Sequence, residues 1–223
     1  MASPVRRALF FATVLALGSV LIGCGARAPV GAGPTVTATP TAAATATATP
    51  RPQTSAEVEA SVRARATAAV NALKAKDFAT VASLAHPAKG VRFSPYAFVD
   101  TARHVVLDPA TIRLGFANTK TYLWGHTSGK GDPMEWTFEQ FYTRQLYNKD
   151  YAASKDVGYE RHPQRGNSID NSATAYPQGR SVDYYIPSTD PNTTLDWGAL
   201  RLVFEEQGGT WYLVGVIHDE WTI

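Results

Sequence analysis

The stretch LRLVFEEQGGTWYLVGVIHDEWTI, residues 200–223, decides the fold. Two runs rich in Leu, Val, Phe, Tyr and Trp flank Gln207-Gly208-Gly209. Strand-forming residues on either side of a Gly-Gly turn predict an antiparallel hairpin. The expected strands run from Ala199 to Glu206 and from Trp211 to about Trp221, with Gly215 marking a bulge or bend that shifts the register of His218, Asp219 and Glu220. Upstream, Val182 to Ile186, Tyr122 to His126 and Val91 to Val99 have the same strand character, and Ser128 to Asp132 reads as a turn.

Helical spacing dominates the earlier chain. Thr54 with Glu57 forms a capping box, and Val58, Val62, Ala66, Ala69, Val70 and Leu73 follow on one face. Asp77 restarts a second helix with Phe78, Val81 and Leu84, which stops at His86-Pro87. Asp108-Pro109 begins a short helix, and Thr137 with Gln140 makes another capping box ahead of Phe138, Phe141, Tyr142 and Leu146. Residues from about Asp150 to Gly179 are polar and without period. Helices first and a hairpin last predict an α+β class, with N-terminal helices packed on one face of a curved antiparallel sheet.

The opening helix, the restart at Lys76-Asp77-Phe78 and the closing RLVFEEQGGTWYLVGVIHDEW resemble the nuclear transport factor 2-like superfamily. That resemblance implies the cone-shaped fold of ketosteroid isomerases and polyketide cyclases. HPAKGVRFSPYAFV, together with the closing stretch, is similar to a group of uncharacterised secreted bacterial proteins. The isomerases carry a tyrosine and carboxylates inside the cone. The first helix here has no tyrosine and no carboxylate matches theirs, so their activity does not transfer.

Side chains two apart on a strand share a face, which sorts the strand residues into two sets. Arg92, Ser94 and Tyr96, Tyr122, Trp124 and His126, Asp183 and Tyr185, Arg201, Val203 and Glu205, and Tyr212, Val214, Val216, His218 and Glu220 form one set. Val91, Phe93, Leu123, Val182, Ile186, Leu202, Phe204, Leu213 and Ile217 form the other and are the expected core. On a cone the first set lines the concave face, giving Arg92, Tyr96, Trp124, His126, Tyr185, Arg201 and His218 as the candidate pocket. The same residues suit the wet side of an ordinary sheet. Lys89 and Arg92 suggest anion binding, though a turn at Lys89-Gly90 and a salt bridge from Arg92 explain them more simply.

The chain begins with Arg6-Arg7 and an apolar run from Ala8 to Val20, the layout of a signal peptide and shorter than the about 20 residues that span a bilayer. Leu21-Ile22-Gly23-Cys24 resembles the bacterial lipobox, which implies cleavage before Cys24 and a diacylglycerol on its sulfur. Residues 24–54 are then a lipidated cysteine and an Ala/Thr/Pro-rich tether too poor in large apolar groups to fold, and residues 55–223 are a single domain. Cys24 is the one cysteine, so the domain holds no disulfide, thiol nucleophile or cysteine-ligated metal.

Of 21 Lys and Arg, four precede residue 55, which leaves 17 against all 19 Asp and Glu. A near-neutral domain argues against nucleic acid. His86, His104, His126, His162 and His218 show no metal-ligand spacing, so neither metal nor cofactor is expected. The expected function is a lipoprotein held to the extracytoplasmic face of a membrane through acylated Cys24. Its domain is expected to bind a small molecule or a cell-envelope partner without catalysis. The alternative is a small-molecule hydrolase, isomerase or cyclase using His126, His218, Tyr185 and Arg201.

Overall fold

The computed structural model describes residues 52–190 and 192–222. The signal peptide, Cys24 and nearly all of the tether lie outside the described residues.

Helix α1 spans Ser55–Ala75, and its first turn is closed by the reciprocal Thr54–Glu57 capping box. It ends where Lys76 adopts a left-handed conformation (φ 58°) and returns its N–H to Ala72 O and Leu73 O. The Asp77 side chain caps α2, Phe78–Leu84, through Thr80 N–H. Strand β1 is Val91–Ser94 and β2 is Val106–Leu107. Asp108 caps α3, Pro109–Leu114. Strands β3, Thr121–His126, and β4, Pro133–Thr137, precede α4, Phe138–Phe141, which opens on the Thr137–Gln140 capping box and continues as a π-helical turn over Tyr142–Leu146. Then come β5, Asp156–Tyr159, α5, Ser172–Ala175, β6, Arg180–Ile186, β7, Gly198–Gln207, and β8, Thr210–Glu220.

The class is α+β. Among the described residues, six strands form an open sheet in the order β2-β1-β8-β7-β6-β5, while β3 and β4 form a separate ribbon. The sheet is not wholly antiparallel as expected, because β1 runs parallel to β8, with Arg92 beside Gly215 and Ser94 beside Ile217. A parallel neighbour requires a long connection, and nearly the whole domain separates these two strands. The first strand also stops at Ser94 rather than Val99, because Pro95 offers no amide for a ladder. The expected irregular stretch contains β5 and α5, and β4 was not anticipated.

Helix α1 lays Val62, Ala66, Ala69, Val70 and Leu73 on the inner face of the sheet, against a core that includes Phe93, Val182, Tyr184, Leu200, Leu202, Phe204, Leu213 and Val216. The hairpin ribbon closes one flank of that core. Trp124 stacks on Phe141 with ring centroids 4.0 Å apart and planes 2° from parallel, and Phe93 and Phe138 pack around them. Trp124 therefore belongs to the core, and Leu123, expected there, is 48% exposed. The alternation holds, but the ribbon presents its opposite face to the helices.

On the outer face, Val203, Val214 and Ile217 meet Val99 and Tyr176 in a smaller apolar cluster. The two faces exchange along β8. Val203 pairs with Gly215 but Phe204 pairs with Leu213, so Val214 is an extra residue in a bulge. Leu213 faces inward before the bulge, and Val216 and His218 face inward after it. Val216, His218 and Glu220 therefore do not share a face with Arg201, and Ile217 is in the outer cluster rather than with Leu202.

Candidate functional site

The outer face of β6 and β7 carries Ser181, Asp183 and Tyr185 opposite Val203, Arg201 and Ala199. Residues 160–178 fold over it as a strap, pinned by charge. Arg201 Nη1 lies 2.6 Å from Asp170 Oδ2 and its Nη2 3.5 Å from Asp183 Oδ1, while Arg165 Nη2 reaches Asp183 Oδ2 at 2.6 Å. The side chains of Arg201 and Asp183 are 5% and 1% exposed, where an unpaired charge is costly, so each ion depends on the others. The Arg165 guanidinium also sits 4.4 Å from the Tyr185 ring centroid.

Burial pushes the Asp170 carboxyl up, but contacts with His162, Arg201 and Ser172 prevail and hold it well below the ordinary carboxylate range. Asp219, on the same face, goes the other way. Burial and Asp183 raise it to about 6, against the lowering influence of Ser168, Arg201 and Arg165. A carboxyl raised on folding stabilises fully below its unfolded value of 3.8, and that contribution is lost as pH rises through 6. Asp219→Asn is expected to raise stability by about 1–3 kcal/mol at pH 7.5 and by little at pH 4. Urea unfolding at the two pH values measures it, and a variant less stable at pH 7.5 contradicts it.

His162, from the strap, spans two of these elements. Its Nδ1 is 3.3 Å from Asp170 Oδ2 and 3.3 Å from Ser172 Oγ, and its Nε2 is 3.3 Å from Ser181 Oγ. Asp170 Oδ1 accepts from Ser172 N–H at 2.8 Å, and Arg201 Nη1 donates to Ser172 Oγ at 3.0 Å. The Glu160 carboxylate accepts from Ser181 N–H at 2.5 Å and from its hydroxyl at 3.2 Å. Of these groups Glu160, His162, Ser172 and Ser181 border a hollow of about 150 Å³ that also includes Tyr176, Arg180 and Val203.

Two further hollows adjoin it. Arg180 is shared with an open one of about 610 Å³ bordered by Lys89, Glu205, Glu206 and Trp211. Tyr176 is shared with one of about 150 Å³ that holds Arg92, Lys89 and Glu205. Burial pushes the Tyr176 hydroxyl to about 12 despite Arg92 beside it. Lys89 pairs with Glu205. It is Lys89 rather than Arg92 that makes the expected salt bridge, because Arg92 turns its Nη1 to His104 O at 3.4 Å, where the chain returns to β2. Gly90, at φ +66°, provides the turn between them.

The expected pocket residues do not line one cavity among the described residues. Arg92, Tyr185 and Arg201 share the outer face, Trp124 is in the core, and His126 is exposed on the ribbon. The Tyr96 hydroxyl accepts from Ser128 N–H at 2.9 Å beside a surface hollow with Phe98 and Ile169. His218 is fully buried on the inner face. Burial holds its imidazole below the usual histidine range despite Glu220 nearby, and its Nδ1 bonds Pro95 O at 3.1 Å. Gln145 donates to the same carbonyl at 2.9 Å and to Glu220 at 3.1 Å.

Strand alternation pointed to Asp183 and Arg201. It did not reach Ser181, which sits one residue before the expected start of its strand, nor His162 and Asp170, which arrive only when the strap folds back. No cluster of three or more His, Cys, Asp or Glu suited to a metal occurs among the described residues, and none of their helices is long and apolar enough to cross a membrane.

No family model and no curated protein matches the chain. Among solved structures it is similar to Rd1NTF2_05, a designed protein carrying five substitutions, at a TM-score of 0.33 and 10% identity, over 73% of this chain and 98% of that one. A likeness at that level carries no argument about activity.

Proposed function

We propose that the chain is an extracytoplasmic lipoprotein, anchored through acylated Cys24, whose domain is a ligand-binding module on the nuclear transport factor 2-like plan. In this reading the sheet keeps the curvature of a cone while its helical side is packed solid, and the ligand surface is the outer face. The observation that carries it is the row of adjoining hollows that runs along that face and round its β7–β8 hairpin end to Val58 and Trp211, where Arg180 and Lys89 stand against Glu160, Glu205 and Glu206. Opposed cations and carboxylates around wet concavities suit a small polar ligand that bears both charges or several hydroxyls.

The sequence LIGC supports the anchor, and two or three acyl chains at about 0.8 kcal/mol per buried CH₂ hold a protein firmly on a bilayer. Expressed in a bacterial host, the wild-type chain is expected to incorporate palmitate and to show globomycin-sensitive processing. Cys24→Ala is expected to lose both, and palmitate label persisting in that variant sinks the anchor. Native mass spectrometry of the detergent-solubilised chain tests the ligand surface. A co-purified small molecule lost in Arg180→Ala supports it, and a molecule retained there places binding elsewhere.

A further inference from the structure

The imidazole of His162 stands between a carboxylate and a hydroxyl, with a different ring nitrogen facing each. Asp170 Oδ2 lies 3.3 Å from Nδ1, and Ser181 Oγ lies 3.3 Å from Nε2. Asp170 is fixed from behind by Arg201 at 2.6 Å, and Nδ1 faces both its carboxylate and Ser172 Oγ, each at 3.3 Å, so the site works in the tautomer that carries the ring proton on Nδ1 toward this acceptor pair. Nε2 is then the basic nitrogen, and it points at the serine. Ser181 sits on β6 with the outward alternation it shares with Asp183, and its hydroxyl borders the hollow of about 150 Å³. A nucleophile, a base and an orienting carboxylate, set on opposite edges of one imidazole beside a cavity, have the arrangement of an activated serine whatever their order in the chain, with both 3.3 Å contacts at the loose end that ligand-free sites show.

We propose that Ser181, His162 and Asp170 form a nucleophilic site for short-chain acyl esters in this hollow. Its volume suits an acyl group of two or three carbons. The Ser181 hydroxyl, which bonds Glu160 at rest, turns to His162. Ser181 Oγ then forms a bond to the ester carbonyl carbon as its proton passes to His162 Nε2. The carbon–oxygen bond to the leaving alcohol breaks, and that alcohol takes the proton from Nε2. Water attacks the acyl-serine by the same route, releases the carboxylic acid and restores the hydroxyl. Arg180, on the rim of the hollow, where its Nη1 donates to Gly179 O at 2.8 Å and lies 4.0 Å from Glu160, is the nearby cation that would have to turn toward the developing oxyanion. Asp170 acts through the imidazole and is a positioning residue. The site does not depend on the anchor or on a bound ligand elsewhere on the face.

The test uses the full chain, solubilised in detergent, with a small alkyl fluorophosphonate at pH 8 and peptide mapping of the adduct. The expected result is one phosphonyl group on Ser181, absent after denaturation before labelling. Ser181→Ala is expected to remain unlabelled with an unchanged circular dichroism spectrum. His162→Gln is expected to slow labelling by about 100-fold or more. Asp170→Asn is expected to lower kcat on p-nitrophenyl acetate while KM holds, with partial rescue by Asp170→Glu. An unlabelled folded wild-type chain, or an adduct on any other residue, overturns the proposal. Because the wild-type readout needs no variant, misfolding of a mutant does not blur the outcome.

Discussion

Arg201→Ala is expected to destabilise the domain by about 3–5 kcal/mol, since truncating one member of a buried ionic group leaves its partners without compensation. Arg201 serves Asp170 at 2.6 Å and Asp183 at 3.5 Å. Asp183 retains Arg165, so the greater part of the loss falls on Asp170 and on the strap it holds. The carboxyl of Asp170 stays below its ordinary value in the wild type, so its contribution is present above pH 3.8 and survives into acid. In the variant the Arg201 part of that protection is gone, while the contacts with His162 and Ser172 remain. The difference between the two proteins is therefore expected to be full at pH 7 and to shrink below about pH 4, as the less protected carboxyl of the variant takes up a proton before that of the wild type. Urea unfolding across that range checks both parts. A loss under about 1 kcal/mol at pH 7 would mean that the strap is held by its apolar contacts instead.

The second large effect belongs to the other side of the sheet. Trp124→Ala is expected to cost about 3–5 kcal/mol, the range for emptying a large aromatic site in a core. Its ring is wholly buried and stacked on Phe141, and its Nε1 donates to Trp136 O at 2.9 Å. Trp124→Phe separates the two contributions, keeping most of the packing and removing the hydrogen bond to that carbonyl at about 0.5–1.5 kcal/mol. If both variants unfold at the wild-type urea midpoint, the ribbon is not part of the cooperative core.

The sequence made the elements legible where a local signal exists. The Thr54–Glu57 and Thr137–Gln140 boxes, the Asp77 and Asp108 caps and the Gly208-Gly209 turn are each decided within a few residues, and each occurs in the structure as expected. Faces were harder. Alternation along β6 and β7 grouped Asp183, Tyr185 and Arg201 together, but Gly215 warned of a bulge without saying which way the strand turns after it. The ribbon misled for a different reason, since nothing in Tyr122-Leu123-Trp124 states which side the helices will cover. Tertiary closure also hid His162 and Asp170. They lie in a polar stretch with no period, and only the return of the strap to the sheet brings them to Ser181.

The bulge on β8 has a consequence for how this strand can change. One surplus residue, Val214, turns over everything that follows, so the half of the strand after it owes its orientation to a single inserted position. Removing Val214 would rotate the tail by half a turn, carrying the His218 imidazole and Glu220 into the ionic side and Ile217 and Asp219 among the aromatic rings. Ordinary substitution can drift through this strand one side chain at a time. Length cannot, because losing one codon here exchanges the chemistry of two surfaces at once.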